Sequence, residues 1–129
     1  MKTQIVVDKA NRRIICTAFA KGKTHDFRLF KESKTRIRPE IVSMTDTGYL
    51  GMAKLHANCV LPKKRSRKKT LTKDEKAANR AISSARAPNE NVIGSIKRFR
   101  IIADKYRNRR RRFGLRFNLI AGIYNYELL

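Results

Sequence analysis

Acidic residues are scarce in this chain: ten Asp and Glu stand against 32 Lys and Arg. Cysteine occurs only at Cys16 and Cys59, each alone in an apolar stretch. That spacing suits neither a zinc site nor a disulfide framework, so both read as buried free thiols in a reducing cytoplasm. No run approaches the roughly eighteen continuous apolar residues of a membrane span. The N-terminal stretch alternates and soon turns basic, unlike a secretory leader. No internal repeat and no domain boundary is legible, so a single domain with a modest core is expected over residues 1–129.

What is present in excess is positive charge. The formal net charge is +22, with a pI near 11.0, while the hydrophobic fraction of 41% is enough for a folded protein. Such a field attracts polyanions by releasing their condensed counterions, and nucleic acid is the usual partner. The basic residues are not confined to one face of an amphipathic helix, which argues against a membrane surface. A small ribosomal or nucleoid-associated protein would carry the same charge.

Patterning along the chain alternates strand and helix signals. Residues 3–9 and 13–20 are rich in β-branched side chains and predict a hairpin turned at 10–13. Asp26 is expected to cap a short helix carrying Phe27 and Phe30. A short apolar strand at 41–45 ends at Asp46, followed by a turn at Thr47-Gly48, a short helix near 51–58 and a strand at 59–62. Six of the eight residues from Pro62 to Lys69 are Lys or Arg, a solvated loop or a phosphate-binding arm. Thr72 and Glu75 form a capping box that opens a helix to about Arg86. Pro88 is expected to interrupt that helix and start another, with Val92, Ile93, Ile96 and Phe99 on one face. The closing stretch places Leu115, Leu119, Ile120 and Ile123 at helical intervals. This order predicts a mixed α/β layer arrangement.

In so basic a chain, two carboxylates call for explanation. Asp46 ends an apolar strand beside a glycine turn, the edge where α/β sheets bind ligands. Glu90 lies in the first turn of a helix, with Gly94 and Lys97 on its side at 100° per residue. Cutting and rejoining DNA is an in-line displacement at phosphorus, which two divalent metals about 4 Å apart can assist. Hard cations take oxygen ligands, hence Asp and Glu. Asp46 before Gly48 equally suits a plain turn former, and Glu90 equally suits the helix dipole. Spacing alone overturns neither reading.

The surrounding words are more specific. MTDTGYLG at 44–51 with KLH at 54–56, and NENVIGSIKRFRII at 89–102, resemble the insertion-sequence transposases of the DDE superfamily, most nearly the bacterial IS-five group. GKTHDFRLFKES at 22–33 and DKYRNRRRRFGLRFNLIAGIYNYEL at 104–128 fit the same pattern, so the resemblance runs over essentially the whole chain. It implies a ribonuclease-H-like α/β fold, a mixed sheet with flanking helices, and three metal-binding carboxylates. Asp46 corresponds to the second acid and Glu90 to the third, as catalytic residues and ligands of a divalent cation, Mg²⁺ or alternatively Mn²⁺.

The resemblance puts the family's first acid on the first, central strand of the fold, upstream of the hairpin. Asp8 is on the wrong strand, and Asp26 belongs to the separate His-Asp word. The expectation is therefore a truncated catalytic domain lacking that first strand, catalytically incomplete alone. A decayed element, the downstream half of a frameshifted product, and an inhibitor that binds full-length transposase or DNA are the three explanations, in that order. The basic runs then hold phosphates of transposon ends and target: Lys63, Lys64, Arg65, Lys97, Arg98, Arg100, Arg107, Arg109 and Arg110 are the expected DNA contacts. Tyr106, Phe113 and Phe117 are expected to pack onto the last helix rather than stack on bases. His25 and His56 lack metal-ligand surroundings, and Tyr49 is expected to pack near the site. The expected location is the bacterial cytoplasm, at the nucleoid. The rival class is a ribosomal-type binder, which gains nothing from Asp46 and Glu90; a metal-dependent nuclease would bring its own first acid.

Overall fold

The computed structural model describes residues 1–105 and 110–129. It is a mixed α/β chain whose contacts gather into two compact units, one of residues 1–24 and 88–129, the other of residues 25–87.

In the first unit, β1 (Lys2–Val7) pairs antiparallel with β2 (Ile14–Ala20), with Lys2 opposite Ala20 and an irregularity after Val6. Asp8 builds the connecting turn: its side chain accepts the Ala10 amide at 2.8 Å and its carbonyl accepts the Arg12 amide at 2.7 Å. Arg12 takes a left-handed φ of 62° in that turn. The hairpin is the expected one.

Helix α5 (Phe113–Glu127) covers the hairpin with Phe113, Phe117, Ile120, Ala121 and Tyr124 buried. Phe19 of β2 meets the Phe113 and Phe117 rings edge-on, with centroids 5.5 and 5.3 Å away. Edge-to-face rings set the positive rim of one against the negative face of another, which fixes orientation as well as burial. The Asn125 amide then clamps β2, accepting the Ile14 amide at 2.8 Å and donating to the Ile14 carbonyl at 2.9 Å. Tyr124 donates to the Arg12 carbonyl at 3.0 Å.

The expected packing of Phe113 and Phe117 holds; Tyr106 lies outside the described residues. The closing stretch is the expected helix, and of its four residues at helical intervals Ile120 is buried. Leu115 and Leu119 are 75% and 65% exposed, and Ile123 is also exposed. Helix α5 is apolar nearly all round, so its periodicity could not choose a face; the aromatic stripe that receives Phe19 chose it.

Helix α3 runs unbroken over Lys73–Ile96 with Pro88 inside it. This corrects the expected break. Proline removes one bond to the carbonyl four residues back, here that of Ser84, an exposed residue. The turns beyond Pro88 are held by Val92 and Ile96, 1% and 3% exposed, in the same core as Ile14 and Phe117. Phe99 lies past the helix end, as the N-cap of α4 (Arg100–Ala103). The start of α3 is the expected box: Thr72 Oγ1 accepts the Glu75 amide at 3.2 Å, and Glu75 accepts the Thr72 amide at 3.1 Å.

In the second unit, α1 (Asp26–Glu32) buries Leu29 and Phe30. His25 is its N-cap, its Nδ1 accepting the Phe27 amide at 3.3 Å. Asp26, expected as the cap, is the first helical residue instead. Two short strands, β3 (Ser43–Met44) and β4 (Cys59–Val60), pair in parallel around α2 (Met52–Leu55). Met52 is 1% exposed, and His56 is spent on structure, its Nε2 sharing a hydrogen bond with the Ile41 carbonyl at 2.6 Å. Among the described residues no helix is long and apolar enough to cross a membrane.

Candidate functional site

Asp46 stands two residues beyond β3 and caps a 3-10 turn over Thr47–Tyr49. Its Oδ1 accepts the Gly48 amide at 2.9 Å, and its carbonyl accepts the Tyr49 amide at 3.1 Å. Such a side-chain-to-backbone bond two residues on is the Asx-turn geometry that favours Asp in this place. The other oxygen, Oδ2, faces Arg86 Nη2 of α3 at 3.6 Å. The Asp46 side chain remains 44% exposed, so solvent and ligands can reach it.

A second carboxylate approaches the same turn. A Cβ built on Gly48 would lie 2.5 Å from Asp26 Oδ2 and 3.1 Å from Asp46 Oδ1. Asp26 and Asp46 thus flank the one backbone position that has no side chain. Three residues on, a Cβ on Gly51 would lie 2.4 Å from the Phe27 ring. Two glycines therefore let α1 lie directly against the Asp46 turn.

Tyr49 completes the cluster, half-buried in the turn. Burial, and after it the negative charge of Asp26 and Asp46, pushes its phenol up to about 12, with Arg86 opposing. It is a neutral hydrogen-bonding group at ordinary pH.

Sequence pattern points to Asp46 but not to Arg86, and it gives Asp26 a capping role and Tyr49 a place packed near the site. The available signal for Arg86 was an arginine four residues before Glu90, where the helix was expected to end. Asp26 carried no signal, because only folding brings α1 to the turn.

Glu90 lies on α3 and is exposed; it belongs to the first unit, whereas Asp46 belongs to the second. A Cβ on Gly94, one turn on, would meet no neighbour within 4 Å. Among the described residues no three His, Cys, Asp or Glu side chains gather closely enough to hold a metal ion.

The expected DNA contacts fall into three groups. Lys64, Arg65, Lys97 and Arg100 are exposed. Two are engaged within the chain: Lys63 pairs with Glu75 at 2.5 Å, and Arg98 pairs with Glu127 while lying over the Phe99 ring. Arg107, Arg109 and the Arg110 side chain lie outside the described residues.

Comparison with known proteins gives these features a context. The profile of the family described as DDE superfamily endonuclease matches residues 1–125. The chain is similar to the "Probable transposase for insertion sequence element IS702" of Microchaete diplosiphon, at 45% identity over 128 residues. That match covers 99% of this chain and 46% of the relative, so the chain spans about half the relative's length. No solved structure matches. The family match extends over nearly the whole chain, and this chain belongs to the DDE superfamily of endonucleases.

Proposed function

We propose that residues 1–129 form the C-terminal portion of a transposase catalytic domain with a ribonuclease-H-like fold, in which Asp46 is the second metal-binding acid and Glu90 the third. The observation that carries this reading is the Asp46 carboxylate, oriented by the Gly48 amide and part-exposed, in a chain of this family.

The donor chemistry fits the cation that such endonucleases use. Carboxylate oxygens are hard donors suited to Mg²⁺, with Mn²⁺ the alternative. When bound, a divalent cation stabilises charge on the attacking and leaving oxygens of phosphoryl transfer. Asp46 and Glu90 would hold it, and Arg86, 3.6 Å from Asp46 Oδ2, would orient the Asp46 carboxylate. The exposed cations, Lys64, Arg65, Lys97 and Arg100 among them, would bind phosphates of the transposon ends and target without reading bases. The work is done at the nucleoid of a bacterial cytoplasm.

The family's first acid, with the first strand of the sheet, is assigned to no residue of 1–129. In this reading residues 1–129 by themselves do not transfer strands, and the segment that supplies that acid, or a full-length transposase, is their partner. A second reading, a non-catalytic DNA-binding inhibitor of transposition, is favoured by the net charge of +22, which binds DNA with or without the acids.

Excision of a marked insertion element separates these readings in cells that make this chain with the N-terminal half of the IS702 relative. The expected result is excision by the pair, none by this chain alone, and none when Asp46→Asn or Glu90→Gln is introduced. Excision that survives either substitution overturns the assignment of the acids. Failure of the pair, with suppression of a complete transposase by this chain, supports the inhibitor.

A further inference from the structure

The basic segment after β4 is tied down at its root. Asn79, on α3, accepts the Lys63 amide with its Oδ1 at 2.8 Å and donates its Nδ2 to the Lys63 carbonyl at 2.8 Å. Both main-chain groups of one residue are thereby held by one side-chain amide. The Lys63 ammonium reaches Glu75 Oε1 at 2.5 Å, and Glu75 is itself fixed in the capping box of the same helix. Beyond this root, Ser66 and Lys69 close a turn: the Lys69 amide donates to Ser66 Oγ at 3.0 Å, and Ser66 Oγ donates to the Lys69 carbonyl at 3.2 Å. Residues 63–70 are all exposed. Lys64, Arg65, Arg67 and Lys68 form no ion pair among the described residues.

We infer that Asn79 and Glu75 are positioning residues for a preformed, phosphate-binding finger of residues 64–68, and that Lys63 belongs to its anchor rather than to the DNA contact. The inference rests on the nucleic-acid reading above and goes beyond it by separating cations that touch DNA from one that does not. A loop ordered in advance loses less conformational entropy on binding. An ammonium already paired with a carboxylate releases no counterion from DNA, whereas each free cation that meets a phosphate does. The partner is the backbone of duplex DNA, because four cations on one short loop match closely spaced phosphates and the loop carries no apolar group to enter a membrane.

The test is binding of the whole chain to a fluorescein-labelled duplex of arbitrary sequence, followed by anisotropy from 50 to 300 mM KCl. Neutralising Lys64, Arg65, Arg67 and Lys68 to Gln together is expected to make the slope of log affinity against log salt shallower by about 3 to 4, at roughly 0.9 per phosphate contact. Lys63→Met is expected to leave that slope unchanged. Asn79→Ala keeps every cation, so it is expected to weaken binding several-fold at constant slope. It should also hasten tryptic cleavage within 63–69 in the free protein, a change that a cation lost from the surface would not produce. Lys63→Gln, which keeps the main-chain clamp but loses the Glu75 pair, should hasten cleavage after residues 64–69 less than Asn79→Ala does.

Each remaining outcome counts against the inference. A slope that falls as much for Lys63→Met as for Lys64→Met overturns the anchor role. An unchanged slope in the fourfold variant, with steep salt dependence in the parent chain, overturns the finger and leaves the DNA reading standing. Absence of DNA binding by the parent chain removes both. If the fourfold variant loses binding to vesicles of phosphatidylcholine and phosphatidylserine but not to DNA, the finger serves an anionic lipid surface instead.

Discussion

Asp26 Oδ2 lies 2.5 Å from the point where Gly48 would carry a Cβ, so the first residue of one helix occupies the space left by a glycine in another segment's turn. The contact joins the His-Asp word to the Asp-Thr-Gly-Tyr word across nineteen intervening residues. It makes both glycines of that region structural requirements with different costs.

Gly48→Ala is expected to destabilise by about 1 kcal/mol, because the nearest atom is the end of an Asp side chain that can rotate away. Gly51→Ala meets three atoms of the Phe27 ring within 2.9 Å and is expected to cost about 2–3 kcal/mol. Urea midpoints at constant m-value check the order, and a milder effect at Gly51 would contradict the packing described.

Tyr49 is expected to titrate late, at about 12 rather than 10.0. Absorbance at 295 nm should show one tyrosine ionising near that value, and Tyr49→Phe should remove that step. The sign for stability follows from linkage: the raised value belongs to the folded state, so the neutral phenol is favoured there. The contribution is fully present below pH 10 and is lost as pH rises from about 10 to 12. The denaturation midpoint of the parent chain should therefore fall relative to that of Tyr49→Phe over that window.

Thr72→Ala removes the N-cap of α3 and is expected to cost about 1 kcal/mol, read as a lowered thermal midpoint. The Glu75 carboxyl is held below its usual 4.5 by the hydrogen bond from Lys63 and then by that from Thr72. A lowered folded value gives stability above the unfolded value that fades as pH falls through the folded one. Glu75→Gln should flatten the pH dependence of helicity below 4.5, and an unchanged profile would mean the Lys63 pair is not formed in solution.

Phe117→Ala is expected to cost about 3–5 kcal/mol, since the ring is 3% exposed against Phe19 and Phe113. Leu119→Ala, two residues on at 65% exposure, should change stability by no more than about 0.5 kcal/mol. Equal losses at the two positions in a denaturant series would reverse the assigned face of α5.

Much of this was legible locally. The hairpin of residues 2–20 follows from β-branched runs around a polar turn, and the Thr72–Glu75 box follows from two side chains three residues apart. Both depend on neighbours in sequence, so reading the chain recovers them. Pro88 was misjudged because its local cost was weighed without the burial of Val92 and Ile96 that carries the helix past it. The buried face of α5 was not legible because an apolar helix has no preferred side until Phe19 arrives.

The sequence alone determined the positive field, the mixed α/β order, the words at 44–51 and 89–102, and through them the family. Those are properties of composition, short-range pattern and wording, and none needs a distant contact. Only tertiary structure decided that Asp26 and Arg86 approach the Asp46 turn, and that Asn79 grips Lys63. Each of these pairs residues whose separation along the chain is too long for periodicity to relate. Their meeting depends on which apolar faces bury one another, and that is settled for the chain as a whole.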